Sequence, residues 1–173
     1  MELDNKIAGV NQDIKSIASK VNLLRNENEE IEKRKLNIIV KGIPESPDKP
    51  DEDLANEVLR NICDYDMEFS KVERIGRNRE DGKPRPMKIR FHREEDRSNA
   101  IKNATKIRKA KNVTFDTKIV FIMPDMTKLQ RDEDLELRKC LSEKRLTDPN
   151  WIIRHGRLVK KKTDQGPVDP SQE

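Results

Sequence analysis

The chain has 173 residues, room for one ordinary domain and an extension, and only 32% of them are hydrophobic, so any core is small. Leu, Ile, Val and Phe nevertheless number 41, too many for a chain that stays disordered throughout. No stretch approaches the roughly 18 apolar residues of a membrane span, and no basic start leads into a short apolar run, so the sequence reads as a soluble, intracellular protein.

Charged residues make up 40% of the chain against a net charge of only +4, and the two signs are sorted along it. Residues 1–34 carry 6 basic and 7 acidic groups, 35–70 carry 4 and 9, 71–111 carry 15 and 6, and 112–173 carry 12 and 11. The corresponding net charges are −1, −5, +9 and +1. A local excess of nine positive charges fits a surface that neutralises phosphates; the plainer reading is a solvated face on a lysine-rich protein. Cys63 and Cys140 stand apart, without zinc-site spacing or disulfide density, and read as buried or idle thiols.

Residues 1–34 are expected to form a coiled coil. Ile7, Ile14, Val21 and Asn28 fall at heptad position a, and Leu3, Val10, Ile17, Leu24 and Ile31 at d, with no proline in the stretch. A two-in-seven stripe is narrower than the face of a helix packed on its own domain, which favours self-association. Isoleucine at both a and d points to three strands, with Asn28 helping to fix register. Against a simple parallel assembly, Lys20 would face Arg25 and Glu27 would face Glu32 across the seam, so an antiparallel or mixed partner stays open. Such exposed pairs shift stability by only tenths of a kcal/mol each.

Residues 35–123 read as an α/β module. A strand over 36–40 ends at Gly42 and Pro44, and a helix begins at Asp51 with Leu54, Val58, Leu59 and Ile62 inward. A short strand over 72–75 leads into a loop bearing Arg77, Arg79, Lys83 and Arg85. In the next strand Met87, Ile89 and Phe91 alternate with Lys88, Arg90 and His92, so its outer face is basic. A helix over 99–111, with Ala100, Ile101, Ala104 and Ile107 inward, and a strand over 119–122 complete the order βαββαβ. That order is the split βαβ, ferredoxin-like arrangement, whose best-known binding form is the RNA-recognition motif (RRM). The fold class is therefore α+β: a coiled-coil helix, an RRM-like domain and, over 124–162, a small α/β C-terminal domain, followed by a disordered tail over 163–173. In the small domain a helix is expected over 126–145 and a hairpin around His155 and Gly156, with Trp151 in its core.

Three stretches of the middle domain carry a family resemblance: Leu36-Asn37-Ile38-Ile39-Val40-Lys41-Gly42-Ile43-Pro44-Glu45-Ser46, Arg74-Ile75-Gly76-Arg77, and Lys83-Pro84-Arg85-Pro86-Met87-Lys88-Ile89-Arg90-Phe91. They resemble the central domain of the first-open-reading-frame proteins of LINE-type retrotransposons. Pro124-Asp125-Met126-Thr127 before an arginine-rich helix, and Trp151-Ile152-Ile153-Arg154-His155-Gly156-Arg157-Leu158-Val159, resemble their C-terminal domain. The similarity covers residues 36–162, each motif loose and the set specific by its order.

The resemblance implies a homotrimer that coats its own transcript with little sequence preference, acts as a nucleic-acid chaperone, and resides in cytoplasmic ribonucleoprotein particles and also in the nucleus. It places Arg85 and Arg90 at RNA-contacting positions and Arg131 at the basic opening of the C-terminal helix. The C-terminal domain is shorter here than in mammalian members, and the coiled coil spans only about four heptads, roughly 45 Å; loss of part of a longer rod is one expectation.

An ordinary RRM stacks bases on aromatic side chains of its central strands, whereas this chain has six aromatic residues in all and puts Lys41, Lys88 and Arg90 at the outward positions. Binding to single-stranded RNA, or DNA, is therefore expected to rest on phosphate neutralisation and to depend steeply on salt. Arg74, Arg77 and Lys83 join Lys41, Arg85, Lys88 and Arg90 as candidate contacts in the module, and Arg131, Arg154, Arg157 and Lys160 to Lys162 at the C-terminal end. No phosphate loop, metal-ligand motif or nucleophile elbow occurs, so neither enzyme activity nor a cofactor or metal is expected. The competing reading is a coiled-coil adaptor whose basic loop engages an acidic protein.

Overall fold

A computed structural model of the chain describes residues 2–77, 82–110, 113–154 and 156–161, with the side chains of residues 2–5 and 8 left out. It is α+β: four helices, a four-stranded antiparallel sheet and a separate two-stranded hairpin. Two compact units divide between Thr127 and Lys128. The boundary lies four residues beyond the expected one. Pro124 to Thr127 stay with the first unit because Asp125 and Thr127 bond back to its first helix and strand.

Helix α1, Glu2–Arg34, is 33 residues long, about 50 Å at 1.5 Å per residue. Lys33 and Arg34 close it, cations where the helix dipole favours them. Its last turns are tied down: Arg34 donates to Glu30, Asp125 and the Met126 carbonyl, and Thr127 donates to Glu27. Further back the apolar stripe is left open to solvent among the described residues. Ile7, Val10, Ile14, Ile17, Val21 and Leu24 are between 53% and 63% exposed. Leu3 lies outside the described side chains.

Strands β1 (Asn37–Lys41), β2 (Phe69–Arg74), β3 (Met87–Phe91) and β4 (Phe121–Pro124) form one sheet in the order β2-β3-β1-β4. Every neighbouring pair is antiparallel. Helices α2 (Asp51–Ile62) and α3 (Glu94–Asn103), with a 3-10 turn at Ala104–Lys109, belong to the same unit. Ile38, Val40, Met87, Ile89 and Phe91 of the sheet share one closed core with Leu54, Val58, Leu59 and Ile62 of α2, Ala100 of α3 and Ile107. The period-two alternation of β1 and β3 puts every second residue into that core and the intervening ones on the other face.

β1 is offset by one residue and the helix Lys128–Thr147 by two, and three elements of the first unit differ from the sequence expectation for reasons the structure shows. The second helix starts at Glu94 instead of 99, since Glu94, Glu95 and Asp96 supply an acidic first turn, and it tightens to a 3-10 turn after Asn103. β2 starts three residues early, at Phe69, past a register shift between Phe69 and Lys71 that hides its alternation. β4 runs over Phe121–Pro124 instead of 119–122 because Thr117–Ile119 forms a 3-10 turn capped by the Asp116 carboxylate, which accepts from the Lys118 amide at 2.9 Å. Pro124 is tolerated at the end of this edge strand. Gly42 has φ +85, and a Cβ there would collide with the Ile119 carbonyl, so glycine is required where β1 turns past this segment.

The second unit pairs helix α4 (Lys128–Thr147) with a hairpin of β5 (Trp151–Arg154) and β6 (Arg157–Lys160), turned at Gly156 with φ +69. His155 and residues 162–173, including Lys162 and the expected tail, lie outside the described residues, as does Arg79 of the basic loop.

Candidate nucleic-acid interface

The face of the sheet turned away from the core is laid out in rows by strand register. Lys71, Arg90 and Asn37 stand side by side across β2, β3 and β1; next come Glu73, Lys88, Ile39 and Met123; beyond them Lys41 faces Phe121. The first row is partly roofed. Asn37 is buried, its amide donating to Asp125 at 3.0 Å, and Arg90 reaches the Lys33 carbonyl at 3.3 Å, so the end of α1 covers this corner. The rows holding Lys88 and Lys41 lie beyond that contact.

The expected contact residues fare differently. Lys41 and Arg90 are exposed on this face, Lys41 without an ion pair among the described residues. Lys88 is shared with an acid: Glu73 pairs with both Lys71 and Lys88, and their hydrogen bonds, Lys71 first, pull its carboxyl down to about 2. Arg85 donates from Nε and Nη2 to Oε2 of Glu45, at 3.0 and 2.6 Å, and from Nε to Oε1 at 3.2 Å, and its backbone amide adds a bond to Oε1 at 2.8 Å. The Arg85 side chain holds Glu45 at about 2, so Arg85 would meet a strand as half of an ion pair.

Arg74 is a correction. Its side chain is only 4% exposed and donates to Asp51 at 2.8 Å and to the carbonyls of Ile43, Arg85 and Pro44 at 2.8, 2.9 and 3.0 Å. It fastens the loop after β1 to the loop before β3, and its donors are spent inside the protein. The sequence places it among basic loop residues, and nothing in its own neighbourhood distinguishes it from Arg77, which is exposed.

Lys83 and Arg131 are exposed. In the second unit Arg154 and Arg157 are exposed at the two ends of the hairpin turn. Lys160 pairs with Asp148 at 2.9 Å and lies 5.4 Å from the centre of the Trp151 ring, while Lys144 sits over the same ring at 4.5 Å. Arg145 donates to the Trp151 carbonyl at 2.9 Å. Trp151 is thus half-buried between α4 and β6, with lysines against its ring.

Sequence reasoning missed the acids Glu45 and Glu73, which set how much positive charge the surface offers, and it missed Phe121. The signal for Glu73 and Phe121 lay in strand register, and that for Glu45 in the approach of the loop after β1 to the loop before β3, both of which join residues far apart in sequence. Among the described residues no cluster of His, Cys, Asp and Glu could hold a metal ion, and no helix is long and apolar enough to cross a membrane. No protein-family model and no curated protein matches the sequence.

Proposed function

We propose that the protein binds single-stranded nucleic acid, RNA before DNA, without catalysing a reaction, and that it assembles through α1 so that several modules act on one strand. On this reading the body is RRM-like and the chain packages a transcript into a ribonucleoprotein with chaperone activity, as its resemblance to LINE first-frame proteins implies. One observation carries the proposal: Lys71, Lys88, Arg90 and Lys41 lie across neighbouring strands on the face opposite the core, with Glu73 the acid set among them. Cations at strand spacing suit a polyanion whose charges repeat along a line.

The stripe on α1 supports the assembly half. Six large apolar side chains of this stripe, each more than half exposed, are costly in water, and their heptad spacing matches a second and third copy of the same helix. Three strands is the proposed state.

Fluorescence anisotropy of a labelled single strand, titrated with the full chain as salt is raised, tests the proposal. Five or six phosphates neutralised per module correspond to a slope of log affinity on log salt of roughly −4. Absence of binding in dilute buffer favours the adaptor reading instead.

A further inference from the structure

Phe121 is the large aromatic side chain of the open sheet face, and the core does not claim it. It is 48% exposed, stands directly across from Lys41, and is absent from the cluster formed by Ile38, Val40 and the helices, whereas its neighbour Ile122 packs against that cluster. Beside it in the next row are Ile39 and Met123, each half-buried. The Arg108 guanidinium lies over its ring, 5.8 Å from the centroid. Lys118 is exposed three residues away along the chain. An exposed phenyl ring costs free energy in water, and this one is held at the sheet edge by a strand whose position the Asp116 cap and Gly42 fix.

We infer that Phe121 stacks a base of the bound strand, with Lys41 and Arg108 taking the flanking phosphates. The inference rests on the proposed nucleic-acid binding and adds a base contact to what would otherwise be purely backbone recognition. A phenyl face accepts any base, so stacking here raises affinity without imposing a sequence. The cations around the ring favour a polyanion over an apolar protein surface as occupant, since an apolar partner would have to desolvate Lys41 and Arg108 to reach it.

The test compares two fluorescein-labelled strands of equal length, one of thymidines and one of abasic sugar-phosphate, against full-length wild type, Phe121→Ala, Phe121→Leu and Phe121→Trp. Phe121→Ala and Phe121→Leu are expected to bind the thymidine strand about 5- to 150-fold more weakly, the range for loss of one stacked base. They bind the abasic strand as wild type does and keep the wild-type salt slope. Phe121→Trp retains affinity and adds an emission that the thymidine strand quenches beyond the wild-type signal. Equal affinity of Phe121→Leu and wild type for thymidines overturns the inference, as does an equal loss on both strands. A change in sedimenting mass with strand affinity unaltered also overturns it, marking Phe121 as a protein contact. If wild type binds neither strand, the underlying nucleic-acid reading falls; if it binds both strands equally, only the stacking falls.

Discussion

In the body of the first unit Ile38, Val40, Met87 and Ile89 are wholly buried, while six apolar residues of the α1 seam, Ile7, Val10, Ile14, Ile17, Val21 and Leu24, stand more than half exposed. Both sets are periodic, at two in the strands and three to four in the helix. The difference is that the sheet finds its partner helices within the chain, whereas the seam of α1 stays uncovered among the described residues. Local pattern decides which face of an element is apolar, and only the rest of the chain decides whether that face is covered. The body should therefore hold its fold on its own contacts, and the free part of α1 should depend on concentration.

The sharpest way to break this contrast is Ile14→Asn together with Val21→Asn. Assembly should be lost, and affinity for a strand long enough to span several modules should fall about 10²- to 10⁴-fold, the usual contribution of linked sites. Affinity for a strand that one module covers, and the unfolding midpoint of the body, should not move. Sedimentation and anisotropy on short and long strands read this directly; undiminished binding to the long strand would contradict it.

Within the body, Arg74→Ala should destabilise by about 3 kcal/mol, because it strips Asp51 and three carbonyls of their donor in a nearly closed site. Arg90→Ala should leave urea unfolding unchanged and weaken strand binding. Equal stability effects would erase the distinction between the buried and the exposed arginine.

Glu73→Gln should act in the opposite sense on function, releasing Lys71 and Lys88 from their shared acid. Strand affinity should rise several-fold at low salt, with the slope of log affinity on log salt steeper by about 0.7 to 1.4, one to two contacts.

The smallest effect is on acid stability. Glu45 titrates near 2 in the folded protein because Arg85 bonds its carboxylate, below the ordinary carboxylate range. Its stabilising pairing is complete above that range and fades as pH falls through about 2. Wild type should lose more stability than Glu45→Gln on descending from pH 4.5 toward 2, measured by urea midpoints across that interval. Parallel pH profiles would show that the pair contributes nothing.

The elements with clean periods were legible in the sequence. β1, β3 and α2 declare their buried faces through Ile38 and Val40, through Met87, Ile89 and Phe91, and through Leu54, Val58 and Ile62. β2 was partly hidden, since Phe69-Ser70-Lys71 crosses a register shift, and β4 was displaced because Ile119 and Val120 read as strand until Asp116 caps Thr117–Ile119 into a turn. The candidate surface was legible as far as strand alternation reaches: Lys88 and Arg90 were placed outward by it. Charge counting failed at Arg74 and overstated Lys88 and Arg85, because whether a cation is spent depends on acids 15 to 40 residues away in sequence that only the folded chain brings near. Phe121 escaped for the same reason, its exposure following from the edge position of β4.

Contact between the cations of the sheet face and phosphate is the central physical claim. The direct measurement is the salt dependence of single-strand binding by wild type and by a Lys41→Ala, Lys88→Ala, Arg90→Ala variant shown by circular dichroism to be folded. Wild type should give a slope of roughly −4 and the variant roughly −2, three contacts fewer at about 0.7 each. Identical slopes and affinities for the two proteins would contradict the claim.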